Sequence, residues 1–286
     1  MKIKFNPFIL LIILATQYGQ GQAVQSLDSI TIKSSRIDLP FKENSRTLNI
    51  ITSEIIEESP ATNLAELLQQ EAGIDIRRQG IYGMQSDLYI RGGGFDQTLL
   101  LIDGIKVEDP QTGHHTLNIA LPLEIIKRVE IIKGPAARIF GQNAFTGAIN
   151  IVTKSKESVK NNIAFQLGSF NQQHAAATLG TQLKSADLIG HASVNSSEGY
   201  RYNTDFNNQN FFVKSSFKTK ANPIDVMATF SERKFGGNQF YAIDAKEQYE
   251  ETQSSLVGVS TTLTQGALKI SCLLYTSDAA DETGRG

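Results

Sequence analysis

The start of the chain limits what the rest can fold into, because it has the three parts of a secretory signal. Lys2 and Lys4 give a basic start, and Phe8–Ala15 is a short apolar run. Small residues follow, which favours cleavage after Ala23. A membrane-spanning helix needs about 20 apolar residues, and no segment of this chain approaches that length. We therefore predict that residues 1–23 are a cleaved signal peptide and that any membrane insertion uses β-strands.

Charge and composition exclude other classes of protein. The net charge is −2 and the pI about 6.1, which does not indicate nucleic-acid binding. No Ser/His/Asp, paired-carboxylate or metal-ligand spacing stands out, so we predict neither an enzyme nor a bound cofactor or metal. Cys272 is the one cysteine. It opens CLLYTSDAADE, which resembles a translated sequencing adaptor, so residues 272–286 are predicted to be foreign to the gene.

A helix followed by short strands is predicted between residues 59 and 154. Ser59-Pro60 favours a helix start, and Asn63 with Glu66 fits a capping box. Gly73 is placed to end this helix. The predicted strands are Ile74–Arg77, Asp87–Arg91, Leu99–Ile102, Arg128–Lys133 and Ala148–Thr153, with a helical turn at Pro122–Ile126. Such a mixture is typical of a compact α+β domain.

After Lys154 the pattern changes to segments of about ten residues in which apolar and polar side chains alternate. These segments are 163–167, 175–183, 187–195, 211–218, 224–231 and 255–264. Polar stretches at 196–210 and 236–251 separate some of them. Alternation of this kind fits an outer-membrane barrel, and it also fits a soluble β-sandwich. The export signal and the motifs described next favour the barrel.

The densest motifs lie between the helix and the alternating segments. In order they are IRG at 90–92, LIDG at 101–104, VEIIKGP at 129–135, FG at 140–141 and GAINIVT at 147–153. This order and spacing closely resembles the plug domain of TonB-dependent receptors, over roughly residues 45–155. Two other interpretations are weaker. Gly92–Gly94 could bind a phosphate, but a dinucleotide site needs a following helix and here a strand follows. His114 and His115 could bind a metal, but adjacent side chains rarely face one site.

The resemblance implies a role for the isolated alternating strand near the mature N-terminus. It resembles a TonB box, made of Asp28, Ser29, Ile30, Thr31, Ile32, Lys33 and Ser34. A mobile strand of this kind can add to a sheet edge of TonB through its backbone. A disordered N-terminus is the alternative interpretation.

The resemblance also implies two sets of site residues. Arg91, and with a weaker geometry Lys133, would form charge pairs that tie the plug to the barrel wall. The loops at 78–85 and 109–116 would face the ligand, through Arg78, Gln79, Tyr82, Gln85, Gln111, His114 and His115. Solvated turns are the alternative for these loops.

The implied architecture is an α+β plug followed by antiparallel transmembrane strands of an incomplete 22-stranded β-barrel. We predict a signal peptide at 1–23, box and linker at 24–44, plug at 45–155 and barrel at 156–271. The barrel part has room for about six strands, whose open edges hydrocarbon would not tolerate. The sequence is therefore expected to be a fragment of a larger protein.

The implied function is uptake across the outer membrane, energised by the proton gradient. The expected partners are TonB with ExbB and ExbD, outer-membrane lipid, and a ligand that is a small molecule or metal chelate, with no nucleic acid. The cargo would be an iron–siderophore or a cobalamin-like corrinoid. A secreted β-rich binding or adhesion protein is the alternative, and it predicts folding in water without detergent.

Overall fold

The computed structural model describes most of the chain between Thr31 and Ala279. The described residues are 31–32, 39–40, 48–78, 80, 85–107, 114, 116–117, 121–135, 142–219, 222–240, 242–244, 246–265 and 268–279, with backbone alone for 31–32, 39–40 and 262–279. The predicted signal peptide lies outside them. Among the described residues, no helix has the length and apolar character needed to cross a membrane.

The N-terminal half forms the predicted α+β domain, which we call the plug. Its helices are α1 (Ser53–Glu58) and α2 (Leu64–Gln69), and Phe95–Gln97 and Leu123–Ile125 are single 3₁₀ turns. The first nine strands of the chain are β1 (Thr31–Ile32), β2 (Leu39–Pro40), β3 (Leu48–Thr52), β4 (Ile74–Arg78), β5 (Ser86–Ile90), β6 (Thr98–Ile102), β7 (Ile105–Val107), β8 (Ile126–Lys133) and β9 (Gly147–Thr153).

One five-stranded sheet organises the plug. Its order is β3-β8-β9-β6-β7, with β6 and β9 parallel and the other neighbours antiparallel. Strands β4 and β5 form a separate hairpin, and β1 pairs with β2. The five strands predicted from the sequence are all present. Strands β3 and β7 and helix α1 were not predicted. Strand β7 and helix α1 are too short to show a clear hydrophobic period, and the residues of β3, LNIIT, do not alternate.

The predicted helix at 59–73 is wrong in its bounds. Residues 59–63 connect α1 to α2, and α2 begins only after Asn63, whose side chain accepts a hydrogen bond from the Glu66 amide at 2.9 Å. The reciprocal half of the capping box is displaced by one residue. The Glu66 carboxylate accepts from the amide and hydroxyl of Thr62, both at 2.8 Å. Two donors on one residue outcompete the single amide of the cap.

The turn between β6 and β7 is a two-residue hairpin at Asp103-Gly104 of the LIDG motif. Both residues have positive φ, 50° and 82°, as a two-residue type I′ turn requires. Ile102 and Ile105 pair directly across it. This conformation leaves the Asp103 side chain at the tip of the hairpin, where it can contact other parts of the molecule.

The C-terminal half forms one antiparallel sheet, which we call the wall. Its strands follow chain order: β10 (Asn162–Gly168), β11 (Gln172–Gln182), β12 (Ala186–Ser197), β13 (Phe206–Phe217), β14 (Ile224–Gly236), β15 (Tyr249–Gln265) and β16 (Leu268–Ala279). Residues 169–171, 198–205 and 237–248 connect the strands at one end, called here the long-connection end. Residues 272–279 belong to β16, which pairs with β15. This pairing does not test whether these residues are foreign to the gene, so their foreign origin stays a prediction.

The wall has two chemically different faces. On its outer face, Ile163, Phe165 and Leu167 are 69%, 77% and 87% exposed. Exposed Phe211 and Val213 continue this apolar surface on β13. On the inner face, residues of β12 to β15 are covered by the plug. The alternation predicted from the sequence is confirmed, with the apolar side chains facing away from the protein.

Plug and wall share one hydrophobic core. The inner-face residues Ile189, Phe212, Met227 and Leu256 belong to the same buried cluster as the plug helices and sheet. The plug and the wall are in close contact at one position. A Cβ placed on Gly258 of β15 would lie 2.5 Å from the Ile105 Cδ1 atom of the plug. The plug is therefore seated against the inner face of the wall.

Candidate functional site

A cavity of about 500 Å³ lies between the plug and the wall, and we call it the chamber. Its plug side includes Thr62, Asn63, Glu66, Arg78, Ser86, Leu117 and Glu124. Its wall side is formed by His174, His191, Ser193, Asn195, Asn208, Asn210 and Arg233. Asn208 and Arg233 lie close to the ends of β13 and β14 that lead to the long connections. The chamber therefore occupies the half of the interface nearer that end.

Arg78 brings one of the predicted ligand-facing loops to the chamber. Its guanidinium Nη1 lies 2.9 Å from Glu66 Oε1. Burial opposes ionisation of Glu66, but hydrogen bonds from Thr62 and Arg78 outweigh it, so the pKa of this carboxyl is lowered. The pair stays ionised down to acidic pH and fixes Arg78 at the chamber edge.

His114 belongs to the second predicted ligand-facing loop. Its Nδ1 atom lies 2.8 Å from Asp87 Oδ1, and its ring stacks at 4.3 Å from the ring of Phe95. These contacts hold His114 against β5 and Phe95. Of the other predicted residues, Gln85 is half-buried just before β5, while those at 79, 82, 111 and 115 (Gln79, Tyr82, Gln111, His115) lie outside the described residues. Ligand contact by these residues stays a prediction.

Asp103 makes an ion pair between plug and wall that the sequence did not predict. Lys214, on the inner face of β13, donates to Asp103 Oδ2 and to Thr153 Oγ1, both at 2.8 Å. Asp103 also accepts from the amide of Thr153 at 2.9 Å and from its hydroxyl at 2.6 Å. Both charged side chains are largely buried, at 13% and 17% exposure, so solvent screens the pair weakly. This contact lies at the end of the wall opposite the long connections.

Glu57 adds a second ionic contact near the chain that joins plug to wall. Its carboxylate lies 3.3 Å from Lys154 and 3.2 Å from Lys160. Hydrogen bonds from Lys160 and Lys154 lower the pKa of Glu57. Glu57 is half exposed, so this contact contributes less than the Asp103 pair.

A buried network connects three of the sequence motifs. Glu130, fully buried in β8, accepts from Arg128 at 2.8 Å and from Asn150 at 2.9 Å. Asn150 in turn accepts from the Gly104 amide at 3.0 Å. The acidic residue of VEIIKGP, the asparagine of GAINIVT and the glycine of LIDG thus support one another. This network supports the turn at Asp103-Gly104.

The two predicted plug–barrel contacts, Arg91 and Lys133, are placed differently. Lys133 donates to the carbonyl of Ala72 and lies 3.9 Å from Glu71, so it binds within the plug. Arg91 is exposed, and its guanidinium lies next to Gly134, with Nη1 3.0 Å from the position that a Cβ on this glycine would take. Within the described part of the chain, Arg91 has no ion-pair partner. A barrel contact for either stays a prediction.

The fold and motifs define a class of protein. Residues 40–148 match the TonB-dependent receptor plug domain. This part of the chain is thus a plug domain like that of TonB-dependent receptors, and antiparallel wall strands follow it. The α+β fold predicted from the motifs is confirmed.

Particular relatives are transporters and receptors. The chain is 32% identical over 164 residues to a vitamin B12 transporter BtuB of Vibrio vulnificus, covering 57% of this chain and 27% of the relative. A BtuB of Vibrio cholerae is 29% identical over 167 residues, covering 58% and 27%. The chain thus spans about a quarter of the length of these relatives.

Solved structures share the fold. The alcaligin outer-membrane receptor FauA of Bordetella pertussis superposes with a TM-score of 0.68 at 15% identity, over 88% of this chain and 42% of that one. The ferric yersiniabactin uptake receptor FyuA of Yersinia pestis gives 0.66 at 16%, over 82% and 41%.

Proposed function

We propose that this chain is the plug and the first strands of the barrel wall of an outer-membrane receptor, which imports a bulky ligand in a TonB-dependent way. The observation that carries this proposal is a globular plug on the inner face of a sheet whose outer face is apolar and exposed. A soluble β-rich adhesion protein would bury such a face, because contiguous exposed apolar surface favours aggregation in water.

The orientation follows from the export signal. The plug precedes the wall, so the chain enters the first strand from the periplasm and the long-connection end faces outward, as in other outer-membrane barrels. The chamber then opens toward the exterior and the Asp103–Lys214 contact toward the periplasm. Outer-membrane lipid contacts the apolar outer face.

The mechanism has three steps. A ligand binds the plug loops and the wall from outside. Binding favours a state in which the box at residues 28–34 is released, which requires tighter ligand binding to that state. TonB, energised by ExbB and ExbD, then pairs with the box and displaces the plug. Thr31–Ile32 pairs with Leu39–Pro40, and the rest of the box lies outside the described residues.

The cargo we propose is an iron–siderophore or a cobalamin-like corrinoid. The curated relatives are vitamin B12 transporters, and the similar solved structures include siderophore receptors.

Uptake by the full-length gene product should depend on the proton gradient. Cells that express it should accumulate radiolabelled ligand, and a protonophore should reduce accumulation at least tenfold while surface binding remains, because the gradient supplies the work. A receptor without residues 24–44 is the matched control. Cells that express it should accumulate as little ligand as cells treated with protonophore. Equal accumulation with and without protonophore would contradict the proposal.

A further inference from the structure

The wall side of the chamber carries buried polar atoms that have no hydrogen-bond partner among the described residues. His191, Asn195 and Asn208 are 4%, 6% and 2% exposed. Within the described residues, His191 Nε2, Asn195 Oδ1 and Asn208 Oδ1 have no hydrogen-bond partner, and neither has Nδ1 of the neighbouring His174. Buried polar groups are nearly always paired, so four such atoms around one cavity indicate a site built for a polar occupant.

The orientation of His191 is fixed by a neighbour. Its Nδ1 atom lies 2.8 Å from the hydroxyl of Thr178, which is itself buried at 2% exposure. The hydroxyl can donate to or accept from the ring, and either arrangement leaves the second ring nitrogen with a hydrogen-bonding function. The contact with Thr178 thus fixes the ring, and Nε2 is the imidazole nitrogen left for another partner.

The charges around the chamber cancel. Two cations, Arg78 and Arg233, and two anions, Glu66 and Glu124, line it. Arg78 is paired with Glu66. With neutral histidines the lining has no net formal charge. An anionic ligand therefore gains little Coulomb attraction here and loses its hydration.

We propose that the chamber binds uncharged ligand groups that offer both donors and acceptors, of which carboxamides are the best fit. A carboxamide N–H can donate to the oxygens of Asn195 and Asn208, while its carbonyl accepts from an imidazole N–H or an asparagine amide. The anionic oxygens around a chelated ferric ion offer only acceptors. This inference rests on the proposed function, and it selects among the cargoes.

Binding to the purified full-length receptor in detergent tests the inference, with cyanocobalamin as the uncharged, carboxamide-bearing probe and a ferric tris-catecholate as the anionic one. Cyanocobalamin should bind more tightly than the catecholate. Asn208→Leu should weaken cyanocobalamin binding about tenfold, because a ligand group loses its partner on desolvation. Asn207→Leu, on the outer face of the same strand, is the matched control and should not change the affinity.

A second variant, Asn195→Leu, guards against a folding defect in the first, and heat-modifiable migration on gels reports folding of each. Unchanged cyanocobalamin affinity in a folded variant of either position overturns the inference. Gradient-dependent uptake of the ferric catecholate without binding of cyanocobalamin also overturns it, while leaving the proposed function intact. If uptake of every ligand is independent of the proton gradient, the result contradicts the proposed function instead.

Discussion

Replacing Glu130 by alanine should make the plug of the full-length receptor open about 3–5 kcal/mol more easily. Glu130 is fully buried and holds both Arg128 and Asn150. Its loss leaves the Arg128 guanidinium, only 15% exposed, without its counter-charge in a poorly solvated site. It also frees Asn150, which supports the Gly104 amide.

Hydrogen exchange followed by mass spectrometry measures this effect. Amides of β8 and β9 should exchange faster by roughly two to three orders of magnitude, since about 1.4 kcal/mol corresponds to a factor of ten. Glu58→Ala, at an exposed position at the end of α1, is the control and should leave exchange unchanged. Wild-type protection of β8 and β9 in the Glu130 variant would show that the network is not structural.

Replacing Ile30 by proline should abolish uptake while leaving ligand binding at wild-type affinity. Strand addition to TonB uses backbone amides. Proline lacks the amide hydrogen and fixes φ, so it interrupts the pairing at the centre of the box. We expect initial uptake to fall by at least 100-fold, measured with radiolabelled ligand in cells, while binding is measured at 4 °C.

The control for the box is Ser26→Pro, which lies between the predicted cleavage site and residue 28. It introduces the same residue, proline, outside the segment that pairs with TonB, so uptake should continue. If Ile30→Pro cells import ligand at the normal rate, residues 28–34 are not the coupling segment. An equal loss in both variants would indicate a general requirement for a flexible terminus.

The sequence predicted the plug and the two-faced wall well, because both depend on local patterns. Asp103-Gly104 requires two positive φ angles, which few residue pairs adopt. Ile163, Phe165 and Leu167 alternate with polar neighbours, and strand geometry alone then places them on one face. Such features are set by residues adjacent in the chain.

The contacts between distant residues could not be predicted in this way. Lys214 is separated from Asp103 by 111 positions, and nothing in either neighbourhood marks the pair. The amine of Lys133, for which a barrel contact stays a prediction, lies beside Glu71 and Ala72, 61 positions away from Ala72 in the chain. The unpaired wall residues Asn195 and Asn208 look like ordinary polar strand positions until the plug covers them.

The central claim is that the plug sits against the inner face of a membrane barrel, and thiol cross-linking tests it most directly. In a full-length receptor whose native cysteines are replaced by serine, Asp103→Cys and Lys214→Cys introduce thiols where the side chains meet at 2.8 Å. Dibromobimane, a short bis-thiol reagent, should link them in folded receptor extracted from outer membranes. Asp103→Cys with Ser215→Cys, which places the second thiol on the outer face of β13, should give no adduct. Equal labelling of the two pairs, or recovery of the protein as a water-soluble monomer, would contradict the account.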